Sequence, residues 1–575
     1  MILTAFLFLF NQRARYRVFI IINLLVSVIL VADVVYARYF SDVISIALLR
    51  QAKLAAGVQD SVLALVQPRD LAYFLDLCIL IPALWRIRRQ KGKPASLPWP
   101  GRLAILCLLF LVGTNQVQAS VASLQERQPG LIRAFWDKQV VANNIGTLNF
   151  HAIDFWRYAQ KKIATRPLPE EEQAAVAAWF AEQALPTQQK RYHKAMEGKN
   201  LILVQLEAFQ GFVLNLEING KEVTPNLNRL AKQSLTFPNA YYQTAMGGTS
   251  DAEFLANVSL FPAKDGTAYY EYSANTFKSL PLAAKEKGYA TAVMHPFRPG
   301  FWNRPSMYKA LGFDTYLNQQ DFEHDEIFGM GLADHSFYRQ AVARMKEMPQ
   351  PFYTFLISLS SHFPFTDPKV DLRDRLDLGP FAGTLLGNFL LNAHYADEAV
   401  GVLIEELKAA QLWDNSVVVF YGDHHAIPEK QNHLLAQLLY DKEELDPVEW
   451  QEAQKVVMMM HFPGEEIKGQ QTLVAGQIDL FPTLANLLGF DCPYTLGQDL
   501  LNADAGFVCF RNGNWLKDEV VHFRTTNEVM DRQTGETLPL ADYETLAALA
   551  EEKLRISDLT LEHDLIKKWQ TGVNE

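Results

Sequence analysis

The chain has few cysteines and no repeated or low-complexity tract. Four cysteines among 575 residues are too few for a disulfide-stabilised scaffold. Cys78 and Cys107 lie inside apolar segments, where a thiol packs as a small hydrophobic group. Cys492 and Cys509 could pair with each other or stay as two buried thiols, and the sequence leaves both alternatives open. Hydrophobic cores must therefore provide most of the stability.

Positive charge is scarce over most of the chain. The net charge is -11, and the acidic excess lies after residue 120, whereas residues 1–120 are basic. An acidic body lacks the positive surface that binds a phosphate backbone, so we expect no nucleic-acid partner. A basic, apolar head joined to an acidic body is typical of a membrane anchor that carries a water-exposed domain.

Long apolar runs are confined to residues 1–119, which we interpret as a transmembrane helical anchor. A membrane span needs about 20 apolar residues. The candidate spans are residues 18–37, 68–85 and 103–119, with residues 1–10 as a partial span. Basic clusters precede the first span and follow the second, and the positive-inside rule places both clusters in the cytoplasm. We therefore predict a multi-pass membrane protein whose remainder is extracellular; buried core helices are the alternative.

The rest of the chain divides into three parts. Residues 120–198 form a predicted helical linker, whose mixed aromatic and basic residues suit either the membrane interface or packing on the body. Residues 199–510 form the predicted catalytic domain, and residues 511–575 its C-terminal extension.

Apolar runs alternate with helical patterns from residue 199 onward. The runs cover residues 201–206, 290–294, 352–359, 416–421 and 456–460. Continuous apolar runs suit strands that are covered on both faces. We therefore predict an α/β sandwich with a largely parallel central sheet.

Polar side chains that can bind ligands follow four of these runs. They are Glu207, His295, His362 and the adjacent pair Asp423 and His424. The carboxyl ends of parallel strands meet at one crevice, so we expect these side chains to lie together. His461 also ends a run, but Pro463 and Gly464 follow at once, and we interpret His461 as structural.

Thr249 lies in the glycine-flanked sequence GGTS. The glycines allow a tight turn that brings backbone amides close to an anion. With Glu207, Asp423 and His424, Thr249 forms a mixed oxygen and nitrogen ligand set for one divalent ion. A hydroxyl beside such an ion can act as a nucleophile. The simpler alternative is a helix cap, and the two roles are compatible because a helix N-terminus also binds phosphate.

Several segments resemble the lipoteichoic acid synthase family, which lies within the alkaline phosphatase and sulfatase superfamily. They are TPNLNRLA (224–231), TSDAEFLANVSLFP (249–262), KSLPLAAKEKGY (278–289), FWNRPSMYKALGFD (301–314), HFPF (362–365), FYGDHH (420–425) and QIDLFPTLANLLGF (477–490). The resemblance covers about residues 120–505. The family has five spans before its extracellular domain and this chain shows three and a half, which predicts a truncated or misassigned start.

The resemblance implies a phosphoglycerol transferase. Glu207, Thr249, Asp423 and His424 would bind one ion, Mn²⁺ or Mg²⁺. Thr249 would attack the phosphorus of phosphatidylglycerol, release diacylglycerol and form a glycerophospho-threonine. A hydroxyl of a glycerolphosphate polymer (lipoteichoic acid) or of a glycolipid acceptor would then displace it.

The resemblance also implies a glycerophosphate pocket. The residues that match family positions lining it are His295, Trp302, Arg304 and His362. An arginine can clamp a phosphate through two hydrogen bonds, and a histidine can donate to its oxygens. The chain departs from the family at Pro296 and Phe297, where a glycine and a small polar residue usually follow the histidine.

Other functions stay open at this point. A phosphoglycerol transferase acting on periplasmic glucans shares most of the motifs, and a phosphoethanolamine transferase shares the threonine nucleophile. A primase that adds only the first unit, or a catalytically silent envelope protein that binds lipid head groups, would also fit. A sulfatase is disfavoured because its nucleophile is a modified cysteine or serine in a different sequence context.

Overall fold

The computed structural model describes residues 2–10, 12–40, 43–46, 66–89, 97–128, 130–135, 137–164, 167–183, 190–366, 370–465 and 467–571. The chain divides into two compact units. The first comprises Met1–Thr165 and Pro299–Trp302, and the second comprises Arg166–Arg298 and Asn303–Glu575. The finer division into four parts stays a prediction.

The described part of the first unit is helical. Its α-helices are Ile2–Ala5, Gln12–Phe40, Leu75–Arg89, Trp99–Arg127, Leu131–Ala134, Lys138–Ile145 and Thr147–Ala164, and its 3-10 helices include Phe6–Leu9 and Pro68–Phe74. Two stretches are long and apolar enough to cross a membrane, Ala14–Arg38 and Trp99–Arg127. Only 17% and 6% of their apolar windows are buried, so neither packs like the core helix of a soluble protein.

The predicted spans 18–37 and 103–119 lie within these two helices. The predicted span 68–85 begins as a 3-10 helix and continues as Leu75–Arg89, with Pro82 inside the α-helix. The basic cluster after this span extends to Lys91 and Lys93, which lie outside the described residues.

Polar side chains in the first unit pair across helices. Arg38 donates through Nη1 to Asp70 Oδ2 at 2.7 Å, and Asn23 donates to Asp76 Oδ2 at 2.6 Å. Such pairing is expected of polar groups on apolar helices, because an unpaired polar group is costly in a lipid environment.

An eight-stranded sheet is the centre of the second unit. Its strands in chain order are β1 (Asn200–Leu206), β2 (Leu235–Thr236), β3 (Ala290–Met294), β4 (Thr315–Leu317), β5 (Phe352–Ile357), β6 (Ser416–Gly422), β7 (Met458–His461) and β8 (Gly469–Gln470). Their spatial order is β8-β2-β7-β6-β1-β5-β3-β4. All pairings are parallel except those of β7 with β6 and with β2. The predicted α/β fold with a largely parallel sheet is confirmed. The five predicted strands are present.

The middle of the sheet is covered on both faces. Every residue of β1, β5 and β6 is buried, and Leu203 pairs in register with Phe355 and Val419. One face forms a hydrophobic core with the helices Pro225–Ala231, Asp334–Glu347 and Leu385–Ala409.

On the other face lies the helix Thr249–Val258, which is joined to the sheet by side-chain hydrogen bonds. Gln205 of β1 donates to the Thr249 carbonyl oxygen at 3.2 Å and accepts a hydrogen bond from the Tyr421 hydroxyl. Tyr353 of β5 donates to Asn257 Oδ1 at 2.7 Å. The start and the end of this helix are thus both attached to central strands.

The second unit has further short elements. The other α-helices include Glu170–Gln183, Ala268–Glu271, Leu280–Glu286, Arg304–Leu311, Asn432–Tyr440, Pro447–Glu452, Leu480–Leu488, Glu544–Glu562 and Leu565–Thr571. A five-stranded antiparallel sheet consists of Phe507–Cys509, Trp515–Lys517, Val520–Phe523, Glu528–Asp531 and Thr537–Leu538. Two-stranded pairs join Glu217–Ile218 to Lys221–Glu222, Ala240–Tyr241 to Ala475–Gly476, and Ile327–Phe328 to Gly331–Leu332. Cys492 and Cys509 are both free thiols.

Candidate active site

Three predicted metal ligands meet at the carboxyl edge of the central sheet. Leu206 at the end of β1 pairs with Gly422 at the end of β6, so the residues that follow these strands are neighbours. Glu207, Asp423 and His424 each offer a ligand atom, and these atoms lie within 4.8 Å of one another. His424 Nε2 is 3.5 Å from Glu207 Oε1 and 3.5 Å from Asp423 Oδ2.

Thr249 completes this group as the first residue of its helix. Its Oγ1 donates to Glu207 Oε2 at 3.3 Å and lies 3.4 Å from His424 Nε2. Its side chain is nearly buried, with 6% exposed. The structure therefore brings together all four residues that the sequence predicts to surround one ion.

The turn before Thr249 depends on its glycines. Gly248 has a φ of +45°, a left-handed conformation that glycine adopts without strain. A Cβ on Gly247 would lie 2.1 Å from Asp251 Oδ1. Asp251 cannot easily move aside, because its Oδ2 accepts the backbone N–H groups of Ala245 and Gly247, both at 2.9 Å. Burial raises the pKa of the Asp251 carboxyl to about 7.

Backbone hydrogen bonds orient the Asp423 carboxylate. Its Oδ1 accepts the N–H groups of Ala208 and His424, both at 2.7 Å. Its Oδ2 is buried and accepts no hydrogen bond from the described residues. Gln477 holds the same loop by donating to the carbonyl oxygens of Gly422 and Asp423 at 2.8 and 2.6 Å. One carboxylate oxygen is thus fixed, and the other is left for a ligand.

Two serines after β5 hold Glu207. The Glu207 N–H donates to Ser358 Oγ at 2.8 Å, and Ser361 Oγ donates to the Glu207 carbonyl oxygen at 2.6 Å. The next residue, Ala208, has a φ of +57°, a strained conformation for a residue with a Cβ. Such strain is found where the surrounding structure fixes a functional side chain.

The electrostatics of the site favour a cation. Burial raises the pKa of the Glu207 carboxyl, and burial together with repulsion from Glu207 raises that of Asp423. Two adjacent buried carboxylates cannot both ionise at low cost unless a positive charge lies between them. The buried Asp423 Oδ2 without a hydrogen-bond donor fits that requirement.

The histidine is prepared to act as a ligand. His424 Nδ1 lies 3.0 Å from the His425 carbonyl oxygen, and a ring nitrogen that faces a carbonyl carries the proton. Nε2 is then the free acceptor, an arrangement usual for metal-binding histidines. Donor atoms about 2.1 Å from one ion lie about 3 to 3.4 Å apart, close to the separations around Thr249 and His424. These residues fit a divalent metal ion.

Two predicted pocket histidines follow the neighbouring strands and are neutral. His295 follows β3, and its Nδ1 lies 3.1 Å from the Ile357 carbonyl oxygen of β5. His362 Nδ1 lies 2.6 Å from the Phe363 carbonyl oxygen. Burial lowers the pKa of both imidazoles. Because each Nδ1 faces a carbonyl oxygen and carries the proton, the neutral ring offers Nε2 as a hydrogen-bond acceptor.

Arg304 lies in a buried ion pair that the sequence did not predict. Its Nε and Nη2 donate to Glu253 Oε1 at 3.1 and 2.7 Å, and only 1% of Arg304 is exposed. The Tyr308 hydroxyl donates to Glu253 Oε2 at 2.5 Å. Glu253 lies one helical turn after Thr249 and so on the same face of the helix. This spacing was the only feature of the sequence that could have linked Glu253 to the site.

Trp302 belongs to the segment Pro299–Trp302 of the first unit. Its backbone has a φ of +61°, and its ring lies 5.7 Å from that of Phe301. The pocket roles of Trp302, His295, Arg304 and His362 stay predictions. Sequence reasoning missed Ser358, Ser361 and Gln477, which hold the site through hydrogen bonds between distant segments. It also missed that Asp251 holds the turn just before it.

This fold and site, together with two matching family models, define an enzyme of the alkaline phosphatase and sulfatase superfamily whose residues can hold a metal ion. The central sheet carries its ligand-capable side chains at one edge, and a hydroxyl at a helix start lies among them. The family model "Sulfatase" matches residues 199–490, and the model "Lipoteichoic acid synthase N-terminal domain" matches residues 1–166.

Relatives match over almost the whole chain. Lipoteichoic acid synthase 2 of Bacillus subtilis (strain 168) is 31% identical over 98% of this chain and 86% of its own length. Lipoteichoic acid synthase of Staphylococcus aureus (strain USA300) is 30% identical over 99% of this chain and 87% of its own. The chain belongs to the lipoteichoic acid synthase family, and it is a membrane protein and an enzyme of the phosphotransferase type.

Solved structures share the fold of this chain over about two thirds of its length. The lipoteichoic acid synthase LtaP from Listeria monocytogenes aligns with a TM-score of 0.62 and 30% identity, over 67% of this chain and 98% of its own. A protein in the alkaline phosphatase superfamily from Vibrio parahaemolyticus aligns with a TM-score of 0.53 and 17% identity, over 69% of this chain and 97% of its own. The second likeness concerns the fold alone.

Proposed function

We propose that this protein is a membrane-anchored phosphoglycerol transferase that takes glycerophosphate from phosphatidylglycerol and adds it to a glycerolphosphate polymer, lipoteichoic acid, or a related glycolipid acceptor. The observation that carries the proposal is the position of Thr249. Its hydroxyl stands at a helix start, 3.3 Å from the Glu207 carboxylate and 3.4 Å from His424 Nε2.

The residues divide the reaction between them. Thr249 Oγ1 forms a bond to phosphorus, the bond from phosphorus to the diacylglycerol oxygen breaks, and diacylglycerol leaves as the alcohol. The glycerophosphate is held on Thr249 until an acceptor hydroxyl displaces it and restores the threonine. The N-terminus of the helix Thr249–Val258 stabilises the phosphate charge.

The metal would be held by Glu207, Asp423, His424 and Thr249. A bound divalent ion lowers the pKa of a coordinated hydroxyl and neutralises phosphate charge. Mixed carboxylate, hydroxyl and imidazole ligands suit Mn²⁺, with Mg²⁺ as the second choice.

The predicted pocket residues would position the donor head group. Arg304 would act from its ion pair with Glu253, and the neutral imidazoles of His295 and His362 would accept hydrogen bonds from glycerol hydroxyl groups through Nε2. In this proposal the chain is multi-pass, and its catalytic domain faces the extracellular side, where phosphatidylglycerol and the growing polymer are both available.

The test uses the full-length protein in nanodiscs with fluorescent phosphatidylglycerol, with and without Mn²⁺. We expect metal-dependent release of diacylglycerol, and no release from phosphatidylethanolamine. If diacylglycerol were released from phosphatidylethanolamine but not from phosphatidylglycerol, the protein would be a phosphoethanolamine transferase instead. If a supplied glucan accepted glycerophosphate and a supplied glycolipid did not, the acceptor would be a glucan rather than a glycolipid.

A further inference from the structure

Large apolar side chains that are exposed in the second unit lie mainly near the candidate active site. Among the described residues of this unit they are Tyr192, Ile327, Met330, Phe363 and Tyr440. Phe363 has 57% of its surface exposed and directly follows the predicted pocket residue His362. Its ring contacts that of Phe365 with centroids 5.7 Å apart, so a supported aromatic surface is exposed beside the predicted pocket.

Ile327 and Met330 are presented by a short hairpin. Its strands, Ile327–Phe328 and Gly331–Leu332, pair antiparallel, and the two apolar side chains are 44% and 39% exposed. A Cβ on Gly331 would lie 2.9 Å from Leu359 Cδ2 and 3.1 Å from the Pro296 carbonyl oxygen. The hairpin therefore lies against both segments that carry the predicted pocket histidines.

The hairpin and the Phe363 loop stand on the same helix, Leu385–Ala409. The ring of Phe328 stacks on Tyr395 with centroids 4.4 Å apart. Phe365 packs against Phe389 at 5.3 Å. The two contact positions on this helix are six residues, or about 9 Å of rise, apart. We call the exposed side chains of Phe363, Ile327 and Met330 the apolar rim.

We infer that the apolar rim inserts into the phospholipid bilayer, at the boundary between head groups and acyl chains, and holds the catalytic crevice over a lipid head group. The inference rests on the proposed function, because it assigns the rim to delivery of the donor lipid. Thr249 is only 6% exposed, so a phosphate that stays in a membrane reaches it only if the enzyme surface meets the bilayer.

The chemistry of the rim suits this occupant. A phenylalanine, an isoleucine and a methionine on loops can enter the upper acyl region, and their gain grows with the apolar area buried. Exposed acidic residues, among them Glu323 and Asp325, precede the hairpin and oppose insertion into a strongly anionic membrane. The adjacent Glu326 is paired. It accepts hydrogen bonds from Arg339 at 3.3 Å and from the Tyr395 hydroxyl at 3.0 Å.

The direct test places a fluorophore in the rim. The full-length Phe363→Trp variant is reconstituted in nanodiscs of phosphatidylglycerol and phosphatidylcholine, with or without bromine on the acyl chains. The Tyr440→Trp variant, at another exposed apolar position, is the matched control. We expect the emission added at position 363 to be quenched at least threefold more than that added at 440.

Equal quenching at the two positions, or none at 363, would overturn the inference. If a second copy of the chain covered the rim instead of the bilayer, quenching at position 363 would be equally weak. The nanodiscs would then contain dimers that the Phe363→Trp substitution dissociates. This readout needs no turnover, so it stands even if the proposed reaction fails.

A kinetic test compares two physical forms of the donor. The Phe363→Ser variant is assayed with long-chain phosphatidylglycerol in vesicles and with a short-chain form kept below its micelle concentration. We expect about a tenfold loss on vesicles and a change of less than twofold on the monomeric lipid. Equal rates on vesicles, or equal losses on both donors, would contradict membrane insertion. If the unmodified enzyme uses neither donor, the proposed function fails instead.

Discussion

His424 and His461 both stand at the end of an apolar strand, and the structure places them in different environments. His424 follows β6 and lies among two carboxylates and a threonine hydroxyl. His461 ends β7, where it pairs in register with Val418 near the start of β6, and its ring stacks on Trp413 with centroids 4.1 Å apart. Because β7 is antiparallel to β6, its end lies at the opposite edge of the sheet. Strand direction therefore decides which histidine can take part in the chemistry.

The largest effect is expected at the catalytic edge, from Thr249→Ala. This change removes the only protein atom proposed to bond to phosphorus, and we expect at least a thousandfold loss of diacylglycerol release. Thermal unfolding should be nearly unchanged, because the substitution leaves the helix start in place. A variant that forms polymer at the parental rate would end the nucleophile assignment.

Asp423→Asn should mainly weaken metal binding. The amide keeps the shape of the carboxylate but removes its charge, and we expect Mn²⁺ affinity to fall about a hundredfold. Titration calorimetry of the full-length protein measures this directly. In the same samples, Mn²⁺ should raise the unfolding temperature of the parent and not of the variant. Unchanged affinity would remove Asp423 from the ligand set.

Glu253→Gln tests the support of the site rather than its ligands. The change leaves the buried Arg304 without its charge partner, and we expect about 3 kcal/mol of destabilisation. If Arg304 binds the donor phosphate, KM for phosphatidylglycerol should also rise. The control is Tyr308→Phe, which removes one hydrogen bond to Glu253 and keeps the ion pair; it should cost about 1 kcal/mol. An equal loss in both variants would argue against a special role for the ion pair.

The smallest effect is expected at the other edge, from His461→Phe. The new ring can still stack on Trp413, and the buried Nδ1 of His461 has no hydrogen-bond partner among the described residues. We expect less than about 1 kcal/mol of destabilisation and activity within twofold of the parent. The matched change His424→Phe should abolish turnover. Comparable activity in the two variants would contradict the distinction between the edges.

The sequence predicted the parts of the fold and of the site that depend on long apolar strands. The runs that became β1, β3, β5 and β6 are continuous, and the residues after them meet because these strands are parallel. The direction of β7 was not predictable, since a run of apolar residues reads the same in either direction. Strands of two or three residues, such as β2, β4 and β8, are too short to show a period.

The sequence also failed to predict contacts between distant segments. Glu253 was visible only as a polar residue of the helix that Thr249 begins, and its pairing with Arg304 depends on how two helices pack. The five-stranded sheet after residue 506 was missed because its strands have two to four residues. Thr249 was identified because a hydroxyl residue that follows two glycines can be recognised from a few neighbouring residues of sequence.

Gln205 has a consequence for how the enzyme can move. Its side chain links the Thr249 carbonyl oxygen on one side to the Tyr421 hydroxyl on the other, so the nucleophile is fastened to the two strands that carry the metal ligands. The reacting groups therefore move together as one rigid unit. Any opening that admits a phospholipid with two acyl chains must then occur in the peripheral loops. Amide exchange at the start of the Thr249 helix should accordingly be far slower than in the hairpin at 327–332.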